Sequence, residues 1–436
     1  MDDAEKHQIG QARGKFIAMA GAYALGAFND NFFKTIVIMM ANRAGRGHYS
    51  GLATNFMALP FVIFAAYCGW AADRFPKRRI VIASKIMELA AMCVGAFGII
   101  SQNYVLLLVT VFFMGWQSAI FSPALNGSIP ELYPPTFVPA ANARLKAAIT
   151  AAILLGVALA GFVLGARADE APTAGRLSLA AAAVVAVALV GVAASFWTVA
   201  RPAAAPSAAV PWAGPLATLK DLARLHGDSL LAKVLWADAF IWGLGNLQVL
   251  IIMQMGQNQM GLDDTRSGLL ALSELVGIAV GGLIAAKVLT GPRWYRALPT
   301  AAMVIALLAL LIGVLWTPLS AGRVLSQSLQ FPVLMGLLAL MGIAGGLFMI
   351  PCESFIQVRP GAAEKGTVIA ASNFMVFAAI MLTGLLHSWL WREITPSGFF
   401  AMLGAAAVVA AVILHVLLRY EPPAAWQAQQ GPGESA

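Results

Sequence analysis

Charge is scarce in this sequence. Only 11% of its 436 residues are Asp, Glu, Lys or Arg, against 60% apolar. A water-soluble chain carries about a quarter charged residues, so a soluble globular protein is excluded and lipid is the solvent the composition asks for. Cysteine is nearly absent as well. Cys68, Cys93 and Cys352 fall inside or at the ends of apolar runs, no CxxC occurs, and the five histidines are scattered, which argues against a disulfide framework or a metal site. The motifs of catalysis and of nucleotide-driven pumping are missing: no G-x-S-x-G, no P-loop, no HExxH and no H-x-x-x-x-D. We therefore expect no enzyme, no cofactor and no ATP-driven pump, which leaves an ion gradient or the substrate's own gradient as the energy source. The first fifteen residues are polar and the first apolar run carries a full span, so no cleavable leader is expected.

What is present is a series of long apolar runs. A span needs about 20 mostly apolar residues, and twelve stretches qualify. The first six are roughly Phe16–Ala41, Leu52–Ala72, Ile80–Ile100, Tyr104–Ser122, Ala147–Leu164 and Leu177–Ala200. The second six are roughly Leu231–Met255, Leu269–Val288, Ala297–Trp316, Val333–Pro351, Gly366–Leu386 and Phe399–Leu418. In lipid each span must satisfy its own backbone, so all are read as helices. The expected organisation is a bundle of six spans over residues 1–200, a linker over 201–229, a second bundle over 230–420 and a flexible tail over 421–436. Within the linker, a Pro/Ala-rich piece precedes LATLKDLARL, which reads as a short amphipathic helix at the membrane surface.

The net charge of +8 lies in short clusters between the spans rather than along one face. That pattern suits anionic lipid headgroups better than nucleic acid. With both termini in the cytoplasm, nineteen Lys and Arg residues lie on the cytoplasmic side and seven on the other, which sets that orientation. The halves also repeat. Pro123 and Gly156 match Pro351 and Gly384 at one offset, and AAITAAILLG resembles MVFAAIMLTG. Paired six-span halves are the pattern of a parallel-repeat transporter.

Ionisable residues inside spans are costly and mark candidate pathways. Asn29, Asp30, Asn31 and Lys34 form a polar cluster in the first span, with Asp30 and Lys34 four apart and able to pair. Asn246, Gln248 and Asp238 fall in the seventh span, and Glu274 in the eighth, as a proton carrier or the partner of a base. Pro351 and Glu353 mark the cytoplasmic end of the tenth span, a gating position. Lys85 and Glu88 sit in the cytoplasmic third of the third span, where Lys85 is expected to snorkel to headgroups in a structural role.

Between the second and third spans stands Gly69-Trp-Ala-Ala-Asp73-Arg74-Phe-Pro-Lys-Arg78-Arg79. It resembles the signature loop of the major facilitator superfamily. The resemblance implies that fold, with twelve transmembrane helices in two six-helix bundles. Gly69 would let another helix approach closely, and Asp73 would pair with a basic residue across the bundle interface as a releasable latch. The second-half loop keeps Gly281, Gly282, Lys287 and Arg293 but lacks the Asp-Arg pair.

Two stretches further resemble the bacterial lysophospholipid transporter family: Gly26-Ala-Phe-Asn29-Asp30-Asn31, and Phe121-Ser-Pro-Ala124 with Gly127-Ser-Ile-Pro-Glu131-Leu132 and Ala141-Asn142-Ala143. Gly345-Gly346 to Pro351, with Gln357 and Asn373, is also similar. The resemblance implies movement of lysophosphatidylethanolamine and related lysolipids across the bacterial inner membrane, Asp30 as the midplane acid, and a cytoplasmic acyltransferase as partner; a monomer is the superfamily's default. Two departures stand out. Leu125 and Gln248 occupy positions where the family tends to be basic, leaving Lys34 as the replacement charge. Proton-coupled efflux of small amphiphilic compounds, with Asp30 or Glu274 as carrier, is the alternative.

Overall fold

The computed structural model describes residues 3–44, 48–164, 172–198, 201–262, 264–317, 326–390 and 392–423. Among them every long element is a helix and no strand occurs. The first half comprises α1 (Asp3–Arg43), α2 (His48–Ile63), α3 (Ala65–Arg74), α4 (Lys77–Ser101), α5 (Tyr104–Asn126), the single turn α6 (Ile129–Leu132), α7 (Val138–Leu164) and α8 (Ala174–Ser195). After α9 (Pro215–Leu225) come α10 (Ser229–Gln254), α11 (Asp264–Val288), α12 (Ala297–Leu315), α13 (Gln327–Val358), α14 (Lys365–Leu390) and α15 (Pro396–Leu418).

Ten of these, counted among the described residues, are long and apolar enough to cross a membrane, and α2 with α3 forms an eleventh span bent by 60°. Pro60 stands one turn before the bend and withdraws an N–H from the helical ladder. The twelve-span reading depends on counting α1. That helix is 41 residues long, but Asn29, Asp30, Asn31 and Lys34 dilute its apolar character, so it is not among the eleven.

Two boundaries differ from the sequence reading, and both matter for the site. The helix α7 begins at Val138, ahead of the expected Ala147, so Asn142 and Lys146 are helical rather than in a loop. The tenth span does not end at Pro351; α13 runs through that proline to Val358. Cys352, Phe355, Ile356 and Val358 beyond Pro351 are buried, so the apolar packing of the helix continues past it.

Each half has its own apolar core, one centred on Ile36, Val111 and Val184 and another on Val234, Ile305 and Phe400. Between them, α3, α2 and α5 face α14, while α7 faces α11 and α13. The repeat is visible in helix pairing: α1 packs on α7, as α10 packs on α14. A Cβ on Gly156 would stand 2.6 Å from the Phe28 carbonyl oxygen, so the first pair is in backbone contact; Gly384 in the second lies 3.9 Å from the Asn246 side chain.

The closest helix approach is between α11 and α13. A Cβ on Gly277, Gly281, Gly342 or Gly346 would collide with a backbone carbonyl of the opposite helix. Small residues at four-residue spacing allow this packing in lipid, where apolar surface alone does not drive helices together. Gly281→Leu is expected to cost at least about 3 kcal/mol, at the upper end for overpacking a core. The check is recovery of monodisperse protein and its melting temperature; a wild-type melt would refute the backbone contact.

The linker is not a loose tether. The Ala205 N–H donates to the Asp73 carbonyl at 2.8 Å, and the Trp70 indole donates to Ala208 at 3.0 Å. The amphipathic segment expected in the linker is α9, which lies against α3 and α14, and Arg224 on it reaches Glu364 at 3.3 Å. The segment expected as a flexible tail begins docked: Tyr295 donates to the Glu421 and Pro422 carbonyls, and Lys233 pairs with the Glu421 carboxylate. Residues 424–436 lie outside the described residues.

Candidate functional site

A cavity of about 390 Å³ lies between the halves at mid-bundle. From the first half it is walled by Tyr23, Asp30, Asn31 and Lys34 of α1, Lys85 of α4, Gln117, Ser118 and Asn126 of α5, and Asn142 and Lys146 of α7. From the second half come Asp238 and Trp242 of α10, Glu353 and Gln357 of α13, and Ser372 and Asn373 of α14. Apolar lining completes it: Phe61 stacks on Phe377 with ring centroids 3.7 Å apart, and Leu275, Ile278, Met349 and Ile380 surround them. The lining thus combines charged and polar groups with a large apolar surface.

The polar cluster on α1 is split by the helix. Asp30, Asn31 and Lys34 face the cavity. Asn29 points the other way, fully buried, donating to Glu88 at 3.3 Å and to the Val184 carbonyl at 3.2 Å. Asp30 takes a hydrogen bond from Ser118 at 3.0 Å rather than from Lys34 one turn on. Asn31 donates to its own helix at Ala27, 2.8 Å away.

Lys85 does not snorkel. Both it and Glu88 are 1% exposed and pair at 2.7 Å inside the first bundle. The physical reason is helical phase: Lys85, Glu88, Met92, Gly95 and Ile99 share the buried face of α4. Gly26 makes room for the ammonium, since a Cβ there would stand 2.6 Å from Nζ, and the Phe121 ring lies 5.0 Å from it. Lys85 therefore reaches the cavity wall beside α1, where Gly26 stands one turn before Asp30. The periodicity of α4 was the signal that could have found it.

Three residues singled out in the second half lie off the cavity. Asn246 donates to the Ile380 carbonyl and to Thr383, both at 3.2 Å, tying α10 to α14. Gln248 is buried within α10. Glu274 is 4% exposed in α11, where its backbone meets Gly342, and its neighbour Leu275 lines the cavity instead.

The two halves are joined on the face that carries the 74–79 loop. Asp73 accepts from the Gly366 and Thr367 N–H groups at 2.7 and 2.8 Å and from the Thr367 hydroxyl at 2.8 Å. It caps the N-terminus of α14 instead of pairing with a base. Free N–H groups and the positive end of the helix dipole make that terminus an anion site. Gly69 permits the approach, because a Cβ there would stand 2.8 Å from the Thr367 Cα. Gly282 is its counterpart, with Ile350 and, across the interface, Ala143 beside it. Of the basic residues in the loop, Arg74 donates to the Ala208 carbonyl in the linker and Arg78 to Phe196, while Arg79 is exposed. Lys77, within the same loop motif, is buried and pairs with Glu131.

Further contacts close the same face. Lys146 meets Glu353 at 3.3 Å, Asn142 donates to Ser354 at 2.9 Å and to Gln357 at 3.0 Å, and Asn373 donates to Ser122 at 3.0 Å. Pro351 lies inside α13 two residues before Glu353. A mid-bundle cavity over a polar floor that bridges two helical halves is the arrangement of a transporter.

The Major Facilitator Superfamily model matches residues 19–325, and the chain belongs to that family as a multi-pass membrane transporter. Among curated proteins it is similar to the lysophospholipid transporter LplT of Enterobacter sp. (strain 638), 29% identical over 85% of this chain and 87% of that one. It is also 27% identical to the LplT of Escherichia coli (strain K12), over 90% and 94%. Among solved structures, the human organic anion transporter MFSD10 (TETRAN) shares the fold at a TM-score of 0.70 and 16% identity, covering 93% of this chain and 99% of that one.

Proposed function

We propose that this transporter moves lysophospholipids or similar amphiphiles across the bacterial inner membrane by alternating access. The carrying observation is the mixed lining of the cavity. Asp30, Asn31, Lys34 and Lys85 line it together with Phe61, Phe377, Met349 and Ile380. A charged headgroup and an acyl chain need both surfaces at once. Similarity to proteins named for lysophospholipid transport supports the same reading. The excess of Lys and Arg on the 74–79 side makes that face cytoplasmic, with both termini there. Residues 1–200 and 230–420 then rock as two bodies about the linker 201–229, and the contacts through Asp73, Lys146 and Asn142 hold the cytoplasmic side shut. Lys34 supplies the positive charge that Leu125 and Gln248 lack.

One observation favours the second reading, proton-coupled efflux of small amphiphiles. Asp30 Oδ1 and Glu274 Oε2 are buried without hydrogen-bond partners, and such carboxyls can exchange a proton during a conformational cycle. Reconstitution decides between them. Proteoliposomes given labelled lysolipid are expected to move it without an imposed pH gradient. Failure to move any lysolipid, together with gradient-dependent export of unrelated amphiphiles, would favour the alternative.

A further inference from the structure

On α10, Asp238 and Trp242 are four residues apart and share one helix face toward the cavity. Opposite them stands Glu353 of α13. The Lys146 ammonium lies among these groups, 4.1 Å from the centroid of the Trp242 ring and 3.3 Å from Glu353 Oε1. An aromatic face and a carboxylate around one ammonium are the elements of a cation site, and a tryptophan ring is the strongest of the aromatic partners. Asp238 adds a second carboxylate. It is 3% exposed, accepts from Ser372 at 3.1 Å through Oδ2, and has no partner for Oδ1. Two carboxylates thus face one resident ammonium, and one acceptor stands unused.

This cluster is separate from Asp30. Asp30 takes its hydrogen bond from Ser118 of the first half, whereas Asp238 takes its own from Ser372 of the second and Glu353 pairs with Lys146. The cavity therefore holds two charge clusters, one with a lysine, Lys34, outside any ion pair among the described residues.

We propose that Trp242, Glu353 and Asp238 form a subsite for the ammonium group of an amphiphilic substrate, and that Lys146 occupies it until such a substrate arrives. The proposal rests on the amphiphile-transport reading above and adds the headgroup chemistry and its consequence. Lys146 belongs to the first half and Glu353 to the second, so their ion pair is one of the contacts that shut the cytoplasmic face. A substrate ammonium that takes the place of Lys146 breaks that contact, and binding is thereby linked to opening. Lys34 remains for the phosphate of a zwitterion.

Two water-soluble headgroups test this on the full-length protein in detergent: glycerophosphoethanolamine, which carries an ammonium, and glycerophosphoglycerol, which does not. Saturation-transfer NMR reads their relative affinities. The wild type is expected to favour the ammonium probe by about tenfold, the scale of a desolvated cation–π contact with ion pairing. Trp242→Leu should bring the ratio close to one, and Trp242→Phe should keep part of it. Lys146→Met should tighten the ammonium probe several-fold by removing the resident competitor. A Trp242→Leu ratio equal to wild type, or a Lys146→Met variant that binds the ammonium probe no better, would overturn the proposal. Should Trp242→Leu not yield folded protein, Trp242→Phe and Lys146→Met decide alone. The readout needs no transport. A wild type that binds the ammonium probe selectively yet moves no lysolipid would refute the transport reading and leave the subsite standing.

Discussion

Asp30→Ala will cut lysolipid movement in proteoliposomes by roughly a hundredfold while the protein still inserts and purifies as a monodisperse species. The side chain takes a hydrogen bond from Ser118 and lines the cavity together with Lys34 and Lys85. Losing one partner of a desolvated charged set costs about 3 kcal/mol, which is about a hundredfold. Insertion should survive, because removing a charge from a span lowers the cost of burying it. Asp30→Asn separates the contributions: it preserves the shape and an acceptor for Ser118 but not the charge. Wild-type rates in Asp30→Ala would remove this residue from the pathway, and wild-type rates in Asp30→Asn would remove its charge.

The second large effect concerns the resting conformation. Asp73→Ala deletes three hydrogen-bond acceptances at the start of α14. Loss of a helix cap together with its charge is worth about 2 kcal/mol, a shift of roughly thirtyfold toward the state open on the cytoplasmic face. A native reporter is available. Cys68 is buried in a small cluster with Phe61, Ala119 and Phe377 at the interface between halves. With Cys93 and Cys352 replaced by serine, the rate of maleimide labelling at Cys68 should rise in Asp73→Ala and less so in Asp73→Asn, which keeps one acceptor oxygen. The same substitutions should slow turnover while leaving substrate affinity near wild type. Labelling at the wild-type rate would show that the cap does not hold the face closed.

These two residues differ in how far the sequence reveals their partners. For Asp30, a charge at mid-span in the first apolar run gave the expectation of a pathway position, and the structure puts the residue on the cavity wall, since lipid is a costly place for a charge. The partner was not legible: Asp30–Lys34 spacing suggested a local pair, while the hydrogen bond comes from Ser118, 88 positions away. For Asp73, the loop announced an inter-half contact but pointed to a basic residue. The acceptor role fell to backbone N–H groups, which leave no mark in a one-letter sequence. Glu353 was read as a gate at the end of a span and Lys146 only as one of the cytoplasmic charges, since the span limits at Ala147 and Pro351 hid that both lie inside helices and pair with each other.

By itself the sequence determined that this is an all-helical membrane protein built from repeated halves, with acids and bases stranded in its spans, because hydropathy and the cost of buried charge act residue by residue. Only the tertiary structure decided which of those charges share a cavity. Asn29, Asn246, Gln248 and Glu274 were turned away from it, and Lys85, Lys146, Asp238 and Trp242 were brought to it. That choice depends on helix rotation and on how closely glycine-lined helices meet, and both arise from the packing of side chains far apart in the chain.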